Sequence, residues 1–139
     1  MAVFASAAVS TKAQSAHGVR ASVPFDFNVG DKTIPAGRIT AQPVNGSDGP
    51  MSITNFAESK HAFRATRQLY KESSSSQAKL VFHKYGNRYY LAEVWVPGLR
   101  AWELITSKSE RALQREFRPA KNIAKNFEPE RVTVLASMQ

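Results

Sequence analysis

The sequence predicts an all-β domain, a β-sandwich or small β-barrel of about eight antiparallel strands, with one C-terminal-region α-helix before the last strand. Three observations predict it. Residues 78–96, AKLVFHKYGNRYYLAEVWV, are the most apolar stretch of the chain, and the turn dipeptide Gly86-Asn87 divides them. Residues 19–29 alternate strictly between apolar and polar side chains. Ser107-Lys108-Ser109-Glu110 has the spacing of a capping box, and a narrow helical stripe follows it.

Residues 1–16, MAVFASAAVSTKAQSA, are small, Ala/Ser-rich and free of acid. Ala13-Gln14-Ser15 has the small-x-small form of a cleavage site, so this stretch is read as a signal-peptide remnant whose start is missing, or as a disordered tail. Residues 17–139 are read as a single β-rich domain, in keeping with the 139-residue length of the whole chain.

From Val19 the residues Val19, Ala21, Val23, Phe25, Phe27 and Val29 share one face, which predicts one long half-buried strand. Pro24 lacks a ladder donor and argues for an edge or bulge there, and an exposed first strand could pair across a dimer. Gly30-Asp31-Lys32 and Pro35-Ala36-Gly37 are turns. Residues 38–44 form a weaker strand, 45–50 a loop and 51–55 a short strand. His61 to Tyr70 reads as one strand with Phe63, Ala65 and Leu69 on one side. Residues 71–77 contain four successive serines and read as a flexible loop.

The central hairpin follows. A two-residue loop at Gly86-Asn87 sets Tyr85 opposite Arg88, Lys84 opposite Tyr89, His83 opposite Tyr90 and Leu80 opposite Glu93. Ala78, Leu80, Phe82, Lys84, Tyr89, Leu91, Glu93 and Trp95 then share one face. Lys79, Val81, His83, Tyr85, Arg88, Tyr90, Ala92, Val94 and Val96 share the other. Both faces are apolar away from the turn, so the hairpin is expected in the interior, covered on both sides. Pro97-Gly98 ends it, and Leu99 to Ile105 reads as extended or irregular. A helix is expected from Lys108 to about Phe117, stopped by Pro119. Leu113 and Phe117 form its apolar stripe, and Lys108, Arg111, Arg115 and Arg118 a basic one. Ala120, Ile123, Ala124 and Phe127 suggest a further helical turn, and 131–136 a last strand.

The segments VPFDFNVGDKTIPAG (23–37), AKLVFHKYGNRYYLAEVW (78–95) and SKSERALQRE (107–116) resemble a group of small exported proteins common in acidobacterial genomes. The resemblance spans most of the chain after Arg20. It implies export through a signal peptide and a secreted or periplasmic location. That group has no assigned function, so the resemblance carries over no catalytic residue. The chain departs from it in lacking a basic start, and around Leu99 to Trp102, where a shorter polar link is expected.

Charge and composition narrow the chemistry. The net charge is +8, and Lys60, Arg64, Arg67, Lys71, Lys79, Lys84 and Arg88 stand against the single acid Glu72 in their stretch. Such a field favours anionic partners, while also serving as a solubilising surface. No apolar run approaches the ~20 residues of a spanning helix. The chain has no cysteine, which removes disulfides, thiolate nucleophiles and Cys-ligated zinc. The histidines His17, His61 and His83 lack metal-ligand spacing. His61 and His83 with Glu93 or Asp26 are the one conceivable set, and the expectation is no metal and no cofactor. No serine sits in a nucleophile elbow, and no glycine loop cradles phosphate.

Asp26, Glu93 and Glu103 are the carboxylates that could pair. Glu93, the one acid within the apolar hairpin, is either catalytic or paired with Lys84, and pairing is preferred. Glu93 and His83 are the weak catalytic candidates. Tyr85, Arg88, Tyr90, His83 and Arg64 are the candidate ligand-binding residues, with Tyr70 and Trp102 in neighbouring segments; aromatics beside Arg and His can stack on sugar rings. The expected function is therefore an exported module that binds an anionic polysaccharide or other glycan. The alternatives are a lipocalin-like barrel holding a small apolar ligand, by analogy of strand order, and a small hydrolase. Nucleic acid is disfavoured, because neither export nor any motif supports it.

Overall fold

The computed structural model describes residues 18–44, 49–69, 77–97, 100–117 and 129–138. The signal-peptide reading of 1–16, the serine loop, Tyr70, Lys71 and the helical turn expected around 120–127 lie outside them. The described residues form β1 (Val19–Val23), β2 (Phe27–Val29), β3 (Lys32–Ile34), β4 (Gly37–Pro43), β5 (Met51–Asn55), β6 (Lys60–Arg64), β7 (Thr66–Leu69), β8 (Lys79–Tyr85), β9 (Arg88–Val96), β10 (Arg100–Leu104), α1 (Lys108–Phe117), β11 (Glu130–Leu135) and β12 (Ser137–Met138).

The strands make two sheets, in the orders β12-β1-β4-β5-β6 and β11-β8-β9-β10-β7. The ladders do not join into a barrel, so of the two expected architectures the chain adopts a sandwich-like one. Among the described residues twelve strands replace the expected eight or so, chiefly because three runs bend from one sheet into the other. Pro24 cannot continue a ladder, so the predicted long strand divides into β1 of the first sheet and β2 of the second. The predicted strand over 61–70 divides likewise at Ala65, while the predicted last strand over 131–136 is followed, after Ala136, by a further strand, β12, in the first sheet. The alternation from Val19 to Val29 survives its break, with Val19, Ala21, Val23, Phe27 and Val29 all buried.

Of the extended and irregular alternatives for the link after the hairpin, Arg100–Leu104 takes the extended one, as the regular strand β10. Three further expectations are corrected. Phe63 is 56% exposed, and Ala62 takes the core position in β6. β1 is not an edge, because β12 pairs with it at Val19 and Arg20 on the side away from β4. Finally, one pairing is parallel, with Asn28 of β2 beside Tyr90 of β9.

The β8–β9 hairpin lies in the middle of the second sheet. Gly86 takes φ +64° and Asn87 does not share the positive φ, the pattern of a type II′ loop. Near the turn the predicted pairs hold: Tyr85 with Arg88, Lys84 with Tyr89 and His83 with Tyr90. Beyond Phe82–Leu91 a β-bulge shifts the register, so Val81 faces Glu93 and Leu80 faces Val94 rather than Glu93. Ala92 is the extra residue, and everything after it changes face.

Val94 and Val96 thereby join Leu80, Phe82 and Leu91 in the core, against Val19, Ile39, Met51 and Ile53 of the other sheet. Glu93 and Trp95 turn to the outer face, where Trp95 packs with Val81 and Ala101. Phe82 is wedged edge-on between Phe25 and Phe27, each with its ring centroid 5.0 Å away. Trp102, considered beforehand as part of an aromatic platform, is in this core.

Candidate functional site

The outer face of the second sheet gathers most of the candidate residues, and α1 positions them. Ser107 Oγ accepts the Glu110 amide at 3.2 Å, the first half of the capping box. The second half does not form. The Glu110 carboxylate, 5% exposed, instead points down onto β8. Its Oε2 accepts the Tyr85 hydroxyl at 2.8 Å and stands 2.9 Å from His83 Nδ1. Gln114, one turn further on, donates to the Tyr85 oxygen at 3.0 Å. Leu113 fills the space between Tyr85 and Tyr90, and the Phe117 ring packs 6.0 Å from that of Tyr85. The Phe117 ring also lies beside Gly86, where a Cβ would meet it at 3.4 Å, an ordinary contact distance.

This arrangement corrects the aromatic platform. Tyr85 and Tyr90 are 2% and 5% exposed, so α1 lies where a sugar ring would stack. The structure does bring His83, Tyr85 and Tyr90 together, with their rings edge to face. Burial, and then the hydrogen bond to Glu110, push the Tyr85 phenol well above its ordinary value. A carboxylate on Nδ1 fixes the imidazole tautomer and leaves Nε2 as the basic nitrogen, the geometry a histidine base requires. Glu110 is the functional group that sequence reasoning missed. Its position one helical turn before Leu113 and two before Phe117 was the signal, since all three share the docked face.

Glu93 does not pair with Lys84. The bulge places it on the outer face, where Arg131 grips it with two hydrogen bonds of 2.9 and 3.1 Å and Trp95 Nε1–H donates to it at 2.8 Å. Lys84 reaches Glu130 instead, at 3.5 Å. Glu93 and Glu103 are cross-strand partners, and Arg67 binds Glu103 at 2.8 Å. Each member of this carboxylate pair is thus tied to its own arginine. Asp26, the third candidate, accepts the Ala36 amide at 2.8 Å elsewhere. His61 projects from the outer face of the first sheet and His83 from that of the second, so they cannot share a metal. Among the described residues no three His, Asp or Glu side chains are placed to hold one.

Arg64 is set apart from the tyrosines by its own bond. Its Nε donates to the Ile105 carbonyl at 2.8 Å, and its side chain lies over Gly30. Arg88 is different. It is exposed and has no hydrogen-bond or ion-pair partner among the described residues. It borders an open cleft of about 370 Å³ beside the hairpin turn, with Asp26, Asn28, Thr33, Asn87 and Tyr89. Two contacts brace the cleft wall: Thr33 donates to Asn28 Oδ1 at 2.7 Å, and the Tyr89 ring stacks on Phe25 at 3.8 Å. Tyr90, at its inner side, joins this cleft to the buried cluster.

No known protein family, curated protein or solved structure matches this chain. Among the described residues no helix is long and apolar enough to cross a membrane.

Proposed function

We propose that the chain is an exported binding module that recognises an anionic glycan in the cleft beside the hairpin turn. The cleft carries this reading, with Arg88, whose side chain has no partner among the described residues. Amide, hydroxyl and carboxylate groups there match sugar hydroxyls, the guanidinium matches a uronate or sulfate, and the Tyr89 edge offers apolar contact. The resemblance of residues 23–37 to exported acidobacterial proteins supports the location. Calorimetric titration with an oligogalacturonate, against the neutral oligosaccharide of equal length, tests it. Arg88→Ala should weaken acidic-sugar binding about tenfold, and added salt should weaken it further. Equal affinity for both sugars, or indifference to Arg88→Ala and salt, would sink the reading.

A second reading is favoured by the contact of His83 Nδ1 with Glu110 at 2.9 Å, which suits a small hydrolase using His83 as base. A screen of chromogenic esters and glycosides tests it: turnover lost in His83→Ala supports it, and full turnover in that variant removes it. The lipocalin-like reading has no closed barrel to house its ligand, since aromatic and aliphatic side chains occupy the space between the sheets.

A further inference from the structure

The outer face of the first sheet carries a feature that the hairpin cleft does not explain. Arg20 and Ser22 of β1 and Arg38 of β4 all point outward, away from Val19, Ala21, Val23 and Ile39 in the core. Ser22 is the cross-strand partner of Arg38, and Arg20 that of Thr40, so the two arginines are diagonal neighbours on adjacent strands. Like charges in that relation repel. Three other arginines of the sheets are occupied: Arg67 by Glu103, Arg131 by Glu93, Arg64 by the Ile105 carbonyl. Arg20 and Arg38 have no side-chain partner among the described residues.

These two side chains border a cleft of about 550 Å³ at the corner where β11 passes into β12. Ser22 and Ser137 add hydroxyl groups, Leu135 and Ala136 form an apolar wall, and no carboxylate of the described residues lines it. The Ser137 hydroxyl is held only by a long 3.5 Å contact to the Arg20 carbonyl, so it is free to turn to a better acceptor. Leu135 is 65% exposed there.

We propose that this corner binds a tetrahedral oxyanion, phosphate or sulfate, carried by a small organic molecule. Two guanidinium groups supply the paired donors and charge that such an anion takes, and the serine hydroxyls suit its remaining oxygens. A bound anion also removes the repulsion between Arg20 and Arg38. A bare anion fills little of the volume, which lies in the range of small-molecule sites, and Leu135 gives the carbon part of the ligand a surface to cover. The proposal is independent of the hairpin cleft.

Side-chain Nε–Hε resonances of the arginines, followed by NMR, test it, with inorganic phosphate, inorganic sulfate, glucose 6-phosphate and phosphatidylglycerol vesicles as probes at matched ionic strength. Saturable shifts at Arg20 and Arg38 with phosphate or sulfate are expected, and tighter binding of glucose 6-phosphate. Arg20→Gln or Arg38→Gln should weaken binding about tenfold, and Arg88→Ala should leave it unchanged. Both variants replace exposed residues, and unchanged unfolding midpoints confirm that they fold. The proposal is overturned by shifts that chloride reproduces, by no saturable shift, by binding to vesicles alone, or by loss on Arg88→Ala instead.

Discussion

At the scale of single residues, Glu110 is the side chain whose surroundings demand it. Two donors from β8 converge on one oxygen of a buried carboxylate, and Tyr85, itself buried, has no water to turn to. Removing the acceptor leaves a buried hydroxyl and an imidazole short of a partner. Glu110→Ala should therefore cost about 2–4 kcal/mol in urea unfolding, beyond what an exposed helical Glu→Ala would cost. The raised Tyr85 pKa has a consequence of definite sign. Below its ordinary value of 10.0 the phenol is protonated in both folded and unfolded chains, and its contribution is complete. Above that value the unfolded chain releases the proton while burial and Glu110 hold it in the folded one, so stability falls as pH rises. Tyrosinate absorbance of the native protein should lag that of the unfolded chain by about one tyrosine just above pH 10. Tyr85→Phe should abolish the lag and flatten the alkaline decline. A native titration that overlays the unfolded one would contradict the buried network.

At the scale of elements, what the sequence revealed depended on range. The start and the docked stripe of the helix were legible, because its cap and its apolar residues lie within a dozen positions. The hairpin turn was legible for the same reason, and so were its first three pairs. Glu93 was not, because a bulge at Ala92 flips every later side chain, and alternation alone cannot register one added residue. Arg131 had no visible partner because β11 reaches Glu93 across the intervening β8. The helix is also the element whose attachment can be tested by itself. It is held by the Ser107 cap, by Leu113 and by Glu110, and its other faces are exposed. Ser107→Ala should cost about 1 kcal/mol and Leu113→Ala about 2–4 kcal/mol. In hydrogen exchange Ser107→Ala should lower protection across α1 while the β9 amides keep theirs. An equal fall in both would mean that α1 opens only with the whole sheet.

At the scale of the whole molecule, three bends make the sandwich one unit. β1 runs on into β2, β6 into β7 and β11 into β12, and each pair links the first sheet to the second. None of these crossings was legible: Pro24 announces a break, but which sheet a strand joins depends on partners far along the chain, and Ala65 and Ala136 carry no turn signal at all. The shared core sets the energetic consequence. Phe82 from the second sheet lies fully buried against Phe27 and residues of the first, so neither sheet can shed the other without exposing it. The chain supplies its own reporters, since its two tryptophans lie on opposite faces of one sheet: Trp102 faces the core between the sheets, and Trp95 faces outward beside Glu93. If the crossings and the core make one cooperative unit, the fluorescence of each tryptophan, isolated by Trp95→Phe or Trp102→Phe, should change with denaturant at the same midpoint as the far-ultraviolet circular dichroism of that variant. Phe82→Ala should lower all midpoints together, by about 3–5 kcal/mol of stability. A Trp102 signal that moves before the Trp95 signal would show the sheets parting first, which the three continuous crossings should prevent.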